Sequence, residues 1–475
     1  MRPSDPSGAS GPPSVTSAPA PEWPPRRQAL RQALALGATA VSASLARAAL
    51  PPSAEAPPPA AGDATLTVPA RPAGSPADVA RDEVYWSRVA ALYRVDPAVT
   101  NLENGFYGVM TRPVLARYQQ HIEALNLRNS LYLRQDYPRD AEQVRRRVAA
   151  AVGAAPDEIA LTRGATEALQ NLVVNYRGLK AGDTVLYADL DHDSGQSAFD
   201  HLAALRGARV GSLTIPEPAT HQGVIDAYAQ ALARHPRTRL LLLTHVNNKT
   251  GLVLPVADIA RLARQRGVDV VLDAAHSFGQ LDFTVADLGV DFIAFNLHKW
   301  IGAPLGVGFL YIKRGRLDAI APHLAQAGEE KGPDDVRRRV HSGTTNTANV
   351  LTVPVALELH LALGAAHKEA RVRYLRDRWV AQARALGGVE ILAPDDPHLV
   401  AGITGFRLAG RRGRDDNRAV ATALRDRHGI FTVARGGVAS GDVVRVTPAL
   451  FTSAADVDRL GEALRDLVAR PPWAA

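Results

Sequence analysis

No cysteine occurs anywhere in the 475 residues. This absence excludes disulfide bonds, thiolate metal sites and a catalytic thiol together. The sequence also contains no Gly-x-Gly-x-x-Gly or Gly-x-x-x-x-Gly-Lys-Ser/Thr stretch, the loops that hold dinucleotides and nucleotides. A Gly-x-Ser-x-Gly elbow and a His-Glu-x-x-His pair are missing as well, which leaves a serine hydrolase or a zinc peptidase unsupported. We expect no metal site.

Positive charge is in small excess and is concentrated at the N-terminus. The formal net charge is +7, and +3 of it falls in the first 48 residues, where five arginines accompany two acidic residues. The other +4 is spread over the rest of the chain, which is too little for a nucleic-acid-binding surface. We therefore expect a small-molecule substrate and no nucleic-acid partner.

The first 48 residues resemble a twin-arginine export signal. Arg26 and Arg27 precede a weakly apolar stretch that runs to Leu45, and small residues follow at 46–48. A short amphipathic helix or a disordered tail is the alternative. Because the apolar stretch is short and rich in alanine, we expect export of the folded protein to the periplasm without a stable membrane anchor. Residues 49–80 are rich in proline and alanine, which predicts a disordered linker.

The remaining length is sufficient for two domains with sizeable cores. Apolar, strand-like runs alternate with helical periodicity through the middle of the chain, which predicts an α/β fold with a mostly parallel sheet flanked by helices. Short strands and helices follow in the last third. We assign residues 81–345 to an N-terminal arm and a large domain, and residues 346–475 to a small C-terminal α+β domain.

Two apolar runs in the large domain end in polar residues. The first, at 270–276, reads Val-Val-Leu-Asp-Ala-Ala-His, and the second, at 291–300, ends in Asn-Leu-His-Lys-Trp. Short runs rich in Val, Ile and Phe favour buried parallel strands, whose ligands lie at the carboxyl ends. Asp273 and Lys299 fall at that edge. A carboxylate for the pyridinium nitrogen and a lysine for the Schiff base are the groups that pyridoxal 5'-phosphate (PLP) requires.

The paired motif at 273–276 and 295–308 resembles class V aminotransferases, in particular the branch around isopenicillin N epimerase and cysteine desulfurase. The resemblance extends from about residue 101 to about residue 460. It implies the PLP-dependent transferase fold type I, PLP as cofactor, an amino acid or amine as substrate, and a homodimer. Desulfurases of this class use a mobile-loop cysteine, which this chain lacks.

The phosphate of PLP is expected at a strand-to-helix turn. Gly-Ala-Thr at 164–166 follows an apolar strand, and such a turn presents free backbone N–H groups and the positive end of a helix dipole. An N-cap role for the threonine is the alternative. The resemblance assigns the following residues to the phosphate: Ala165, Thr166, Asn296, His298 and, reaching the partner subunit's phosphate, Thr344. A simple Ser/Thr-rich turn is the alternative for the segment around Thr344.

The resemblance also assigns contacts to the cofactor ring. Asp273 would keep the ring nitrogen protonated, and His192 would stack on the ring face, with an ordinary loop histidine as the alternative. Asn248 and His276 match positions near the phenolic oxygen. Together with Lys299, which would hold PLP and then act as general base and acid at Cα, Asp273 and His276 are the predicted catalytic residues.

The substrate is expected to be held by arginines of the small domain. The resemblance places Arg445 on the substrate carboxylate, which a guanidinium can bind through two hydrogen bonds, and places Arg435 beside it. Asn104 lies in a segment that reaches into the pocket in relatives, although a plain glycine turn is the alternative. Residues 128–134 are expected to form a loop that faces the pocket.

These residues predict a PLP-dependent enzyme of aminotransferase type, with epimerisation and C–S or β-lyase chemistry left open. A remote alternative is an exported binding protein that kept the fold without catalysis. Intact Asp273, His298 and Lys299 argue against that alternative.

The export signal can be tested directly. Replacing Arg26 and Arg27 together by lysine should trap the protein in the cytoplasm, because the twin-arginine route requires the guanidinium pair. Cell fractionation and immunoblotting measure the outcome, with an Arg71→Lys variant outside the signal as control. Unaltered export of the double variant would contradict the assignment.

Overall fold

The computed structural model describes residues 67–324 and 331–473. The predicted export signal at 1–48 lies outside these residues. The predicted linker at 49–80 is described only from residue 67, and there it differs from the expectation, because 76–79 form a helical turn that Ser75 caps and that buries Val79. The end of this stretch is therefore folded, since a few apolar side chains such as Val79 are enough to dock it.

Thirteen strands lie in the described residues. They are β1 (Thr100–Asn101), β2 (Ile159–Thr162), β3 (Thr184–Ala188), β4 (Arg209–Leu213), β5 (Thr238–Thr244), β6 (Asp269–Asp273), β7 (Phe292–Asn296), β8 (Gly308–Ile312), β9 (Val389–Ile391), β10 (Thr404–Leu408), β11 (Ile430–Phe431), β12 (Val433–Arg435) and β13 (Val443–Val446).

The same part of the chain contains thirteen α-helices. They are α1 (Pro76–Val79), α2 (Glu83–Ala90), α3 (Arg112–Gln135), α4 (Tyr137–Val152), α5 (Ala165–Val174), α6 (Asp193–Arg206), α7 (His221–Arg234), α8 (Val256–Arg264), α9 (Val285–Leu288), α10 (Thr347–Leu363), α11 (Ala365–Arg384), α12 (Arg414–His428) and α13 (Ala454–Ala469).

Seven strands form the central sheet in the order β2-β8-β7-β6-β5-β3-β4. The pairs β4–β3, β3–β5, β5–β6 and β6–β7 are parallel, whereas β8 is antiparallel to both β7 and β2. The predicted α/β class with a mostly parallel sheet is confirmed. In this register Asp273 lies opposite Thr244 on one side and Ala294 on the other, so the polar residues after these strands meet at one edge.

Both faces of the central sheet are covered by apolar packing. Along β5, Leu241 and Leu243 belong to one buried cluster, and the alternating residues Leu240 and Leu242 belong to another on the opposite face. Alternate side chains of a strand point to opposite faces, so an unbroken leucine run fits only a strand that is buried on both sides. The Leu-rich sequence thereby positions this strand inside the sheet.

A second sheet lies near the C-terminus, with the antiparallel order β12-β13-β10-β9. Leu102 of the N-terminal arm packs in its apolar cluster with Trp379 and Phe406. The arm is also joined to this region by the parallel pair β1–β11 and by a bridge between Glu103 and Thr447. The described residues belong to one compact unit, so a boundary at 345/346 stays a prediction.

The prediction of a loop at 128–134 is wrong. These residues continue helix α3, which runs from Arg112 to Gln135 and is broken only by the non-helical backbone of Asn129, with a φ of 45°. Asparagine tolerates positive φ better than most residues, so a local kink replaces a loop.

No single helix in the described ranges is long and apolar enough to span a membrane, and only the bent pair α10 and α11, with 75° between them, meets the length and composition criteria jointly. Within the same ranges, no group of three or more His, Cys, Asp or Glu side chains is arranged to hold a metal ion.

Candidate active site

Lys299 and Asp273 lie at the carboxyl edge of the central sheet. Asp273 is the last residue of β6, and its buried carboxylate accepts a hydrogen bond from the backbone N–H of Ala275 at 2.9 Å. Lys299 follows the end of β7 by three residues. The sheet therefore brings together the two residues that the sequence selected for PLP.

The Lys299 amine contacts a histidine. Its Nζ lies 2.9 Å from Nε2 of His276, while Nδ1 of His276 accepts a hydrogen bond from the Trp300 indole at 3.3 Å. The indole has only a donor to offer, so Nδ1 is unprotonated and a neutral ring carries its proton on Nε2, from which it can donate to the neutral form of the Lys299 amine. Burial, reinforced by the charge of Lys299, holds the pKa of His276 well below its usual range. The ring therefore stays neutral.

Burial also prepares Lys299 to react. It lowers the pKa of the Lys299 amine to about 8, although the nearby Asp273 carboxylate works in the opposite direction. Arg445 and Arg435 lower the pKa further through their positive charges. A substantial fraction of the amine is consequently neutral near pH 8, and only the neutral amine can attack a carbonyl or accept a proton.

A polar cavity of about 540 Å³ adjoins this edge and is lined by His192, Asn248, Lys249, Arg435 and the backbone at 436–437, among others. Oδ1 of Asn248 and Nε of Arg435 are buried there without a hydrogen-bond partner in the described chain. The polar lining of a cavity of this size suits a polar ligand. His192 is fixed as the N-cap of α6, with Nδ1 accepting from the backbone N–H of Ser194 at 3.2 Å. These residues fit the ring contacts predicted for PLP.

The predicted phosphate residues lie at the start of α5. The Ala165 N–H donates to Oδ1 of Asn296 at 2.7 Å, and a side chain at Gly164 would meet both Asn296 and His298. His298 is itself oriented by a 3.1 Å contact from Nδ1 to the carbonyl of Val307. The structure thus gathers these residues around one helix N-terminus. The Ala165 N–H is already used within the chain, so its contact with a phosphate stays a prediction.

The two threonines are placed differently. Thr166 is exposed at the second position of α5. Thr344 is also exposed, and its neighbours Gly343 and Thr345 line a separate cavity of about 430 Å³, together with Arg163. The structure does not bring Thr344 to the cavity beside His192. Its predicted role on a partner subunit's phosphate is compatible with exposure and remains a prediction.

Arg445 is already paired within the chain. Its guanidinium is buried and bonds both carboxylate oxygens of Glu103, at 3.2 Å from Nε to Oε2 and through a shorter contact from Nη2 to Oε1. Nη1 donates to the carbonyl of Asn248 at 2.9 Å. Glu103 was missed from the sequence. The only signal available was its place next to Asn104, in the segment expected to enter the pocket.

Asn104 holds the N-terminal arm in place. Its side-chain amide donates to the carbonyls of Thr447 at 2.9 Å and Asn101 at 3.2 Å. The amide nitrogen of Asn104 thus has its hydrogen-bond partners in the backbone. The predicted contact of Asn104 with substrate therefore stays a prediction, and the observed contribution of this residue is to position its neighbour Glu103.

Asp191 is a second residue that the sequence did not single out. Its buried carboxylate accepts hydrogen bonds from the Thr244 hydroxyl and the Ala188 N–H, both at 2.7 Å. Burial raises the pKa of Asp191 to about 7, and the nearby Asp273 charge adds to the effect. The strand end at 189–193 offered several acidic residues, and only the folded chain shows which of them faces β5.

The chain is similar to known proteins over most of its length. Residues 110–460 match the family model of class V aminotransferases. Isopenicillin N epimerase from Streptomyces clavuligerus is 30% identical over 403 residues, which cover 80% of this chain and 97% of the relative. Cysteine desulfurase from Cronobacter sakazakii (strain ATCC BAA-894) is 29% identical over 362 residues, covering 73% and 86%.

Solved structures share the fold. The complex of the cystine C–S lyase C-DES with its product cysteine persulfide gives a TM-score of 0.68 at 25% identity, covering 78% of this chain and 97% of that chain. A C-DES variant with glycine covalently linked to PLP also gives 0.68, at 24% identity and with 78% and 96% covered. Fold and site define a PLP-dependent enzyme of fold type I. More narrowly, the chain belongs to the class V aminotransferase family.

The pKa of Lys299 predicts how the cofactor-free chain takes up PLP. The rate of covalent loading, followed by visible absorbance, should rise about tenfold per pH unit below pH 8 and level off above it, because the neutral amine is the reactive form. Asp273→Asn should move the midpoint to lower pH, since the Asp273 charge raises the Lys299 pKa. Lys299→Ala should not load covalently. A midpoint close to that of ordinary lysine would contradict the assignment.

Proposed function

We propose that this enzyme removes and returns the proton at the Cα of an amino acid, with epimerisation as the net reaction. The observation that carries the proposal is the 2.9 Å contact between Lys299 Nζ and His276 Nε2 beside the Asp273 carboxylate. The Lys299 amine and the His276 ring, which can both carry a proton, therefore lie in contact at the sheet edge. When bound, PLP supplies the electron sink that makes an amino acid Cα–H bond acidic.

Each residue has a distinct part in this proposal. Lys299 binds the cofactor and afterwards moves the Cα proton, for which its lowered pKa leaves the amine neutral. The neutral ring of His276 donates its Nε2 proton toward Nζ, which orients the amine and offers a route for proton exchange. The Asp273 side chain would hold the proton of the cofactor's ring nitrogen, while His192 and Asn248 would contribute the ring-face and phenolic contacts.

Epimerisation is preferred over the other reactions of the family for two reasons. Isopenicillin N epimerases from Streptomyces clavuligerus and Amycolatopsis lactamdurans are similar to this chain over 97% and 98% of their own length. The chain has no cysteine with which to accept sulfur by the mobile-loop route of desulfurases. Transamination, which the sequence alone favoured over epimerisation, begins with the same proton removal by Lys299 and is the second candidate.

The proposal is tested by following amino acids in D₂O with the PLP-loaded enzyme. We expect deuterium at Cα together with inversion of configuration for at least one amino acid of a standard panel. His276→Gln should lower kcat by about 100-fold or more, the scale of general acid–base catalysis, whereas His201→Gln on the exposed surface should not change it.

The products distinguish the competing reactions. A keto acid without inversion would replace epimerisation by transamination, and release of persulfide or of a β-substituent would indicate a lyase. Lack of deuterium exchange with every amino acid tested would refute Cα proton transfer as a whole.

We further propose that the chain forms a homodimer through the surface of α3. Four apolar side chains of this helix are exposed, by 39% at Leu115, 45% at Ile122, 76% at Leu127 and 59% at Leu131. Repeated large apolar side chains on one surface helix are costly to leave in water and are typical of an interface. The exposed Thr344 is consistent with the same arrangement, in which it would reach the partner's site.

The oligomeric state is measured by size-exclusion chromatography with light scattering. We expect a dimer for the wild type and a shift toward the monomer for Leu127→Lys combined with Leu131→Lys, because burying two lysines in an apolar interface is unfavourable. Lys substitution at exposed Leu205, on helix α6, serves as the control. A wild type that is monomeric and fully active would contradict the dimer.

A further inference from the structure

Glu103 occupies the position on Arg445 that a substrate carboxylate would need. The two carboxylate oxygens of Glu103 bond Nε and Nη2 of Arg445 side by side, which is the fork-to-fork geometry by which arginine binds a free carboxylate. The third nitrogen, Nη1, donates to the carbonyl of Asn248. Every nitrogen of this guanidinium therefore has a partner from the chain itself.

The pair is built into the fold. Glu103 is bridged to Thr447 in parallel, and its N–H donates to Oδ1 of Asn101 at 2.9 Å. The Thr447 N–H in turn donates to the carbonyl of Leu102 at 2.7 Å. At Gly105, an added Cβ would approach the Arg445 guanidinium to 2.7 Å, so the chain packs directly on the arginine. Since both charges are buried, separating them would leave each without compensation.

Arg435 is arranged differently. Its Nη2 lies 3.8 Å from Oε1 of Glu103, at the margin of an ion pair, and its buried Nε has no hydrogen-bond partner within the described residues. Arg435 lines the cavity that also contains His192 and Asn248, whereas Arg445 is not among the residues lining it. The positive charges of both arginines reach Lys299, whose pKa they lower. Arg435 thus combines unused donors, access to the cavity and proximity to the reactive amine.

We propose that Glu103 determines substrate selectivity by neutralising Arg445, so that Arg435 alone binds the substrate carboxylate and the pocket accepts amino acids with a single carboxylate. This inference rests on the proposed function only in taking an amino acid as substrate. In the cavity lining, Lys249 and Arg414 are balanced by Asp193 and Asp442. Since Glu103 balances Arg445, Arg435 leaves one net positive charge, which matches one carboxylate. A second carboxylate on the substrate would meet the Glu103 charge and an arginine that is already paired.

The test uses the PLP-loaded full-length enzyme and follows its visible absorbance during titration with L-alanine, L-aspartate and ethylamine. The wild type should bind L-alanine at least about tenfold more tightly than either other compound, the scale of one charge-assisted hydrogen-bonded contact. Glu103→Gln should tighten L-aspartate binding by about tenfold or more, because it removes the negative charge that the second carboxylate would meet. Glu462→Gln, an exposed glutamate of α13, should leave all three affinities unchanged.

The two arginines are separated by a second set of variants. Arg435→Gln should weaken L-alanine binding by about tenfold or more. The double variant Glu103→Gln with Arg445→Gln removes the buried pair together, and it should leave L-alanine binding within about threefold of the wild type. Thermal unfolding and the cofactor absorbance confirm that each variant is folded and loaded.

Two results would overturn the proposal. One is a tenfold loss of L-alanine binding in the double variant without a loss in Arg435→Gln. That result would mean that Arg445 binds the substrate carboxylate. The other is a preference for L-alanine over L-aspartate that Glu103→Gln does not alter. Because the readout is binding, an enzyme with this selectivity but without Cα inversion would refute epimerisation and leave the role of Glu103 intact.

Discussion

The parallel pairing of β6 with β5 and β7 is the constraint on which the site depends. Asp273 ends β6 opposite Thr244 and Ala294, and Lys299 follows the next strand. Carboxyl ends of parallel strands meet at one edge, so residues distant along the chain become neighbours there. A register shift of one residue would turn Asp273 to the other face of the sheet and move its carboxylate away from Lys299.

Burial then gives this edge its chemistry. The same removal from water lowers the pKa of Lys299 to about 8 and keeps His276 neutral, while it raises the pKa of Asp191 to about 7. Desolvation penalises whichever form is charged, so it acts in opposite directions on amines and carboxylates. Asp273 moderates the effect on Lys299 through its negative charge. The fold thereby produces a reactive amine by removing it from water.

The N-terminal arm supplies the carboxylate that neutralises Arg445. Asn104 fastens the arm to the strand that carries Arg445, and Glu103 delivers a carboxylate to that arginine across 342 positions of sequence. A buried arginine requires compensation, and the arm provides it within the chain. A segment far along the chain from the lysine motif consequently contributes to the electrostatics around Lys299.

Local pattern in the sequence determined much of this protein: the buried strands from their apolar runs, the positions of Asp273 and Lys299 near strand ends, and the helix start at Ala165. PLP followed from the chemistry of that carboxylate and lysine together with the resemblance to class V aminotransferases. Local pattern did not predict the conformation or the partners of residues that depend on contacts between distant segments. Residues 128–134 are helical because α3 continues through a kink at Asn129, and Asp191 was separable from its acidic neighbours only by its contact with Thr244. The pairing of Arg445 with Glu103 was likewise decided by the tertiary structure. The partner of a buried charge follows from how strands pair, and neither composition nor hydrophobic periodicity contains that information.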